Sequence, residues 1–388
     1  MMRKDSLIKY VKAHRWLYNI YYGAMSAFVR GLRMFVKPDD KLILFVVFGG
    51  KHYSDSPRCI YEAMLADARF KEYRLVWAFR LPEDHPEVAL RVKIDTLKYF
   101  ITALKARCWV TNEGVTRALN FKGKNTFYFY TTHTALPKIS GIDLKKGATF
   151  TSKGAPKYDC SCAQSEAEKI IQMRKFGIES DRIAVIGYPK NDRISNHSVE
   201  DVRAAREKLG VPMNKTLVLY APTFREEYLD NPPDYVPVNL GEWSEILGEK
   251  YVILYRAHHA MSLHLPKGAT NVMDVSSYPD NTELLIAADI LVSDYSGIFF
   301  EFGVQDKPMF CYAYDYDSYV QRRGLYVDVA DELPGGKMDE TTLVNYIKTG
   351  DYNEIMHKVK AFRDKYITVY GDATNQCLDI IYKNIVVE

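Results

Sequence analysis

The sequence predicts an α/β protein of two similar, doubly wound domains behind a basic amphipathic helix. Three observations carry this expectation. The chain has 388 residues, enough for two cores of ordinary size. From Lys41, and again after Asp192, short apolar runs alternate with longer amphipathic ones, the strand-helix-strand rhythm of a parallel sheet. Charge is uneven: residues 1–40 hold eight Lys or Arg against three acids, so a chain of net +3 divides into a +5 segment and a −2 remainder. A basic start on a nearly neutral body points to an anionic surface met by that segment, not to a nucleic-acid groove along the protein.

In the first segment, Asp5, Lys9, Lys12, Arg15, Asn19, Gly23, Ser26, Arg30, Arg33 and Lys37 follow one another at helical spacing and form one polar stripe. Beside it lie Trp16, Leu17, Tyr18, Ile20, Tyr21, Tyr22, Met25, Phe28 and Val29, groups that settle at the headgroup level of a bilayer. The uncharged run from Trp16 to Val29 is 14 residues, about 21 Å of helix where a span needs about 20 residues. The segment is therefore expected to lie on a membrane without crossing it. Packing on the protein's own core is the alternative, while Asn19 and the dense tyrosines make a poor signal-peptide core.

The first series reads LILFVVF (42–48), CIYEAMLAD, YRLVWAF (73–79), TLKYFITALKA, CWVTN (108–112) and TFYFYTTH (126–133). The second reads as a helix over about 199–209, then TLVLYAPT (216–223), YVILYRAH (251–258), TNVMDVS, ELLIAAD, ILVSD (290–294) and PMFCYAY (308–314), with residues 352–387 helical at the end. This gives residues 1–40 as the amphipathic segment, 41–195 as a first α/β domain and 196–388 as a second. Composition is otherwise globular, 47% hydrophobic with 29 Tyr, which suits amphipathic interfaces and stacking on sugars or bases. The six cysteines show no paired CxxC spacing and are expected to be reduced, mostly buried thiols of a cytoplasmic protein, and no metal-ligand cluster stands out.

In open α/β sheets ligands collect at the carboxyl ends of the strands. Those ends carry Lys51, Ser54, Asp55, Asn112, Glu113, His133 and Lys138 in the first series, and Thr223, Arg225, Arg256, His258 and the turn Ser293, Asp294, Ser296, Gly297 in the second. Backbone N–H groups at the start of a helix after Gly297 would face an anion, although Ser and Asp before a helix also serve as ordinary caps. Arginine offers a fork of donors to phosphate, and histidine a neutral donor or a cation. Such a cleft suits a nucleotide diphosphate.

The order of these pieces resembles the CDP-glycerol glycerophosphotransferase family, the primases and polymerases of wall teichoic acid. The resemblance runs from about Lys41 to Asp379 and rests on FGGKHYSDSPRCIYEAM (48–64), THTALPKISGID (132–143), GYPKND (187–192), LYAPTFRE (219–226), YRAHH (255–259), VSDYSGIFFEF (292–302), KPMFCYAYDYDSYVQRRGLYVDVADELPG (307–335) and GDAT near 371. It implies two Rossmann-like domains of glycosyltransferase-B type, with a CDP-alditol held by the second. His133 and His258 correspond to the family's paired catalytic histidines, either of which could be the base. Thr223, Arg225, Arg256, Ser293, Asp294, Ser296 and Gly297 would surround the donor phosphates, with Arg322, Arg323 and Asp328 in a donor-site loop. Lys51, Ser54, Asp55, Asn112, Glu113 and Lys138 would lie on the acceptor side. One departure is His133-Thr134-Ala135 where the family reads His-Gly-Thr, which leaves the acceptor identity open.

The implied reaction transfers glycerol 3-phosphate from CDP-glycerol to a hydroxyl of an undecaprenyl-linked saccharide at the cytoplasmic face of the membrane, releasing CMP. It requires no cofactor, and a divalent cation is at most auxiliary. The expected partners are the membrane surface through residues 1–40, the lipid-linked acceptor and CDP-glycerol, with no nucleic acid and an undetermined oligomeric state. The rivals are a ribitol-phosphate or capsule alditol-phosphate transferase, a sugar transferase on the same fold, and a noncatalytic membrane scaffold.

Overall fold

The computed structural model describes residues 14–132, 136–143, 157–223, 225, 238–257 and 271–386. The first sheet consists of β1 (Asp39–Val46), β2 (Arg74–Phe79), β3 (Leu90–Lys93), β4 (Ala106–Thr111), β5 (Phe127–Tyr130), β6 (Cys160–Ala163) and β7 (Ile183–Val185). All its pairs are parallel, in the order β3-β2-β1-β4-β5-β6-β7. The second consists of β8 (Thr216–Tyr220), β9 (Tyr251–Tyr255), β10 (Val272–Asp274), β11 (Ile290–Ser293) and β12 (Met309–Cys311), parallel in the order β10-β9-β8-β11-β12. Strand order reverses between β1 and β4 in one sheet and between β8 and β11 in the other. Those two switch points are where open α/β sheets leave a crevice.

The helices in chain order are α1 (Arg15–Leu32), α2 (Asp55–Ala66), α3 (Leu97–Lys105), α4 (Glu166–Phe176), α5 (Pro189–Ser195), α6 (Val199–Leu209), α7 (Leu240–Leu247), α8 (Asn281–Ala287), α9 (Ile298–Phe302), α10 (Tyr316–Arg322), α11 (Val329–Glu332), α12 (Glu340–Thr349), α13 (Tyr352–Tyr366) and α14 (Ala373–Ile385). Their limits follow local chemistry. α6 opens on a capping box between Ser198 and Asp201 and closes on Gly210 at φ +69°, a conformation that glycine reaches without a Cβ penalty.

The helical end of the chain is broken at residues 367–372, and its two pieces serve different cores. α13 buries Val359, Phe362 and Tyr366 with Phe300 and Phe302 of the second half. α14 crosses back and buries Cys377, Leu378, Ile381 and Ile385 with Phe45, Ile60 and Trp77 of the first.

At the N-terminus the structure divides the apolar residues of α1 between two faces. Val29 is fully buried, Tyr22, Met25 and Leu32 pack beside it, and Ser26, from the polar stripe, is buried with its hydroxyl accepting from Asn120 N at 3.0 Å. A small hydroxyl can satisfy a loop N–H that an apolar side chain cannot, so the stripe is part of the seam. Trp16, Ile20, Tyr21 and Phe28 are exposed on the helix, as are Met34 and Phe35 just beyond it. No helix among the described residues is long and apolar enough to cross a membrane.

Candidate active site

Both switch points carry the polar groups that the sequence singles out. At the second, β11 ends in a buried knot. Ser293 Oγ donates to Ala221 O at 2.6 Å. Asp294 Oδ1 accepts from Thr223 N at 2.8 Å and Tyr295 N at 2.7 Å, and its Oδ2 pairs with Arg225 Nη2 at 2.9 Å. Serine and aspartate therefore bind the end of β11 to the chain leaving β8. Ser296 Oγ accepts from Ile298 N at 3.2 Å, and Gly297 is the N-cap of α9 without a side-chain cap bond. The expected helix is only five residues long, so its dipole is small. Two of its first N–H groups are already engaged, Ile298 N by Ser296 Oγ and Phe300 N by Gly297 O at 3.0 Å.

Arg225 lies beneath this turn. It is 2% exposed, and three of the five N–H donors that a guanidinium carries make hydrogen bonds, with an ion pair to Asp294 beside them. Nε and Nη2 reach Asp315 at 2.8 and 2.9 Å, Nη2 also reaches Asp294, and Nη1 donates to Thr223 O at 2.7 Å. Tyr295, Tyr314 and Tyr319 surround it with ring centroids at 5.2, 5.2 and 4.9 Å, and Tyr295 stacks on Tyr319. Burial alone would lower its pKa, but Asp294 and Asp315 raise it, so the cation is fixed in place. This geometry makes Arg225 the support of the turn. Two other groups have polar atoms left unengaged among the described residues. The buried Thr223 Oγ1 has no hydrogen-bond partner among them. Half-buried Arg256 donates from Nη1 to Val275 O and Tyr278 O at 3.1 and 2.9 Å, with Nη2 and Nε unengaged among the described residues, and burial lowers its pKa against Asp280.

The loop after α10 joins the two halves. Lys138 bridges Leu325 in antiparallel fashion, Ile139 N donates to Gly324 O at 3.2 Å, and Tyr326 N donates to Pro137 O at 2.7 Å. Tyr326 OH donates to Asp143 Oδ2 at 3.1 Å. Residues 137–143 of the first half and 324–326 of the second are thus brought together. Arg322 Nε donates to Ser318 O at 3.1 Å, and its Nη2 stands 4.0 Å from Asp315 Oδ2. Asp328 caps α11 through Ala330 N at 3.2 Å and accepts from Tyr316 OH. His133 and His258 lie outside the described residues.

At the first switch point Asn112 is buried and its Oδ1 accepts from Phe48 N at 3.1 Å. Glu113 and Lys51 are exposed. Ser54 is the N-cap of α2 without a side-chain bond, and Asp55 opens α2 and pairs with Lys190 at 3.7 Å. Phe48, Asp55 and Thr132 have φ of +44°, +65° and +49°, conformations that non-glycine residues rarely hold. Phe48 and Thr132 stand two residues beyond β1 and β5, where such strain gathers at ligand sites. Asp315 and the three tyrosines carried no assigned role in the sequence. For Asp315 and Tyr314 the signal was the Tyr-Asp alternation of residues 314–317, which acquires meaning only when the chain brings Arg225 beside it.

Residues 28–383 match the family model described as CDP-Glycerol:Poly(glycerophosphate) glycerophosphotransferase. The chain is 33% identical to a teichoic acid poly(glycerol phosphate) polymerase of Staphylococcus epidermidis over 90% of its own length and 51% of the relative's, and so spans about half of that longer protein. It is 30% identical to a teichoic acid glycerol-phosphate transferase of Staphylococcus aureus over 89% of itself and 94% of the relative. A solved structure of the wall teichoic acid polymerase TagF, in a variant soaked with CDPG, covers 98% of this chain and is itself 98% covered, with TM-score 0.82 and 30% identity. The chain belongs to the CDP-glycerol:poly(glycerophosphate) glycerophosphotransferase family.

Proposed function

We propose that this protein transfers glycerol 3-phosphate from CDP-glycerol to a hydroxyl of an undecaprenyl-linked saccharide, as a teichoic acid primase does. The observation that carries this is the family match over residues 28–383, supported by two parallel sheets that each have a switch point. The halves are taken as residues 41–195 for the acceptor and 196–388 for the donor in a glycosyltransferase-B type arrangement, α14 being the piece of the latter that packs on the former. The acceptor oxygen attacks the phosphorus that bears glycerol, a new P–O bond forms, and the bond to CMP breaks. His133 takes the hydroxyl proton, and His258 and Arg256 with the turn at Ser296 and Gly297 stabilise charge on the transferring and leaving phosphates. Single-turnover assay of His133→Ala and His258→Ala with CDP-glycerol and a soluble acceptor analogue tests this. A fall of at least about a hundredfold is expected for each, and rates near wild type in both would end the proposal. Parallel turnover of CDP-ribitol identifies the alditol.

The same proposal places the enzyme on the cytoplasmic face of the membrane through residues 1–40. Its support is the exposed row of Trp16, Ile20, Tyr21 and Phe28 on a segment of net +5, aromatic groups beside cations, as anionic interfaces attract them. Flotation with anionic liposomes is expected to fall in a Trp16→Ser, Phe28→Ser variant and to weaken with salt. Flotation equal to wild type would assign that face elsewhere.

A further inference from the structure

The motif Gly187 to Asp192 joins the two halves, and the reaction above leaves it without a task. α5 begins inside it, and consecutive side chains of that helix touch both halves. Lys190 Nζ stands 2.8 Å from Glu301 Oε1 of the second half and 3.7 Å from Asp55 Oδ2 of the first. The three side chains are only 11, 19 and 10% exposed. Lys190 N donates to Ser56 Oγ at 3.3 Å. Asn191 Nδ2 reaches Gln164 Oε1 of the first half at 3.2 Å and Phe300 O of the second at 3.4 Å. Asp192 then accepts from Ala373 N at 3.0 Å and Thr374 N at 2.7 Å, fixing the start of α14.

The two carboxylates that meet Lys190 are placed where movement would matter. Glu301 is on α9, the helix that follows the Ser293 to Gly297 turn. Asp55 opens α2 at the acceptor-side edge and holds φ at +65°. A lysine in low dielectric between two acids is a directional tie, because removing it leaves two buried like charges facing each other. Burial by itself would lower the pKa of Lys190, and Asp55 and Glu301 raise it instead, so the ammonium stays charged.

We propose that Lys190 is a positioning residue, a latch that holds the Ser293–Gly297 turn in register with the Ser54–Asp55 edge across the two halves. Only the kinetic arm of its test rests on the glycerophosphate-transfer proposal. Spin labels at Lys71→Cys and Lys250→Cys, exposed positions of the two halves, in a chain carrying Cys59→Ser, report the distance between them. Lys190→Met is expected to broaden and shift the distance distribution with far-UV circular dichroism unchanged, and Lys190→Arg to restore it. Glu301→Gln serves if the methionine variant does not fold. In turnover, kcat should fall by about tenfold to a hundredfold, since small misplacements of reacting groups carry such penalties, while KM for CDP-glycerol stays within about twofold. An unchanged distribution in a folded variant, or a changed one with kcat kept, overturns the latch. If the unaltered protein does not turn over CDP-glycerol, the proposed function falls, and the distances still judge Lys190.

Discussion

Thr223 and Arg225 are two residues apart and do opposite things. Arg225 is held by two carboxylates and three rings, so Arg225→Met would leave Asp294 and Asp315 buried and repelling. A loss of about 3–5 kcal/mol in urea unfolding is expected. Thr223 Oγ1 has no partner among the described residues, so Thr223→Val should leave stability within about 1 kcal/mol, because removing an unsatisfied polar group is nearly neutral. Calorimetric affinity for CDP-glycerol should drop by about tenfold, the worth of one hydrogen bond. The reverse pattern would exchange the two roles. Lys307 provides a pH test. Burial lowers its pKa to about 8 from 10.5, with Nζ donating to Ala288 O at 2.8 Å and Ile286 O at 3.1 Å. Between those pH values the unfolded chain holds a proton that the folded lysine has released, so stability rises with pH across that window. Lys307→Met should remove this rise, read as the difference between the two urea midpoints from pH 7.5 to 10. The tyrosines, common to both chains, cancel in that difference.

At the scale of elements, strands with an apolar run were legible in the sequence, the short β5, β10, β11 and β12 among them, and those without one were not. β1, β2, β4, β8, β9 and β11 rest on apolar runs, and α6 on its cap and periodicity, all readable from residues alone. β3 (LRVK), β6 (CSCA) and β7 (IAV) are three or four residues each, and small residues in a covered strand give no alternation to read. The Ser293 to Gly297 turn was legible as a passage from strand to helix, but its helix proved too short for a dipole argument. The two uses of α1 were hidden because one pattern served two faces. Gly187 marks a close approach that pattern could not show: at φ +84° a Cβ would stand 2.7 Å from Val369 O. Gly187→Ala should therefore destabilise by about 1–3 kcal/mol and lower the melting temperature. An unchanged melting temperature would mean that the 367–372 break gives way easily.

For the whole molecule, the first half is not continuous in the chain. The first sheet ends at Val185, yet α14 adds Cys377, Leu378, Ile381 and Ile385 to its core. At about 2 kcal/mol for each large aliphatic side chain buried, removing α14 takes away much of the stability that a domain possesses. A chain truncated after Asp372 should show lost near-ultraviolet circular dichroism and bind a hydrophobic dye. Retention of a cooperative melt in that chain would contradict the packing. Synthesis runs in one direction, and domains of a nascent chain generally fold from the N-terminus as they emerge. Here the core of the first half stays incomplete until residues 373–385 have been made. The helix that closes it late is held at its start by Asp192 of α5, the helix whose neighbouring Lys190 and Asn191 touch both halves.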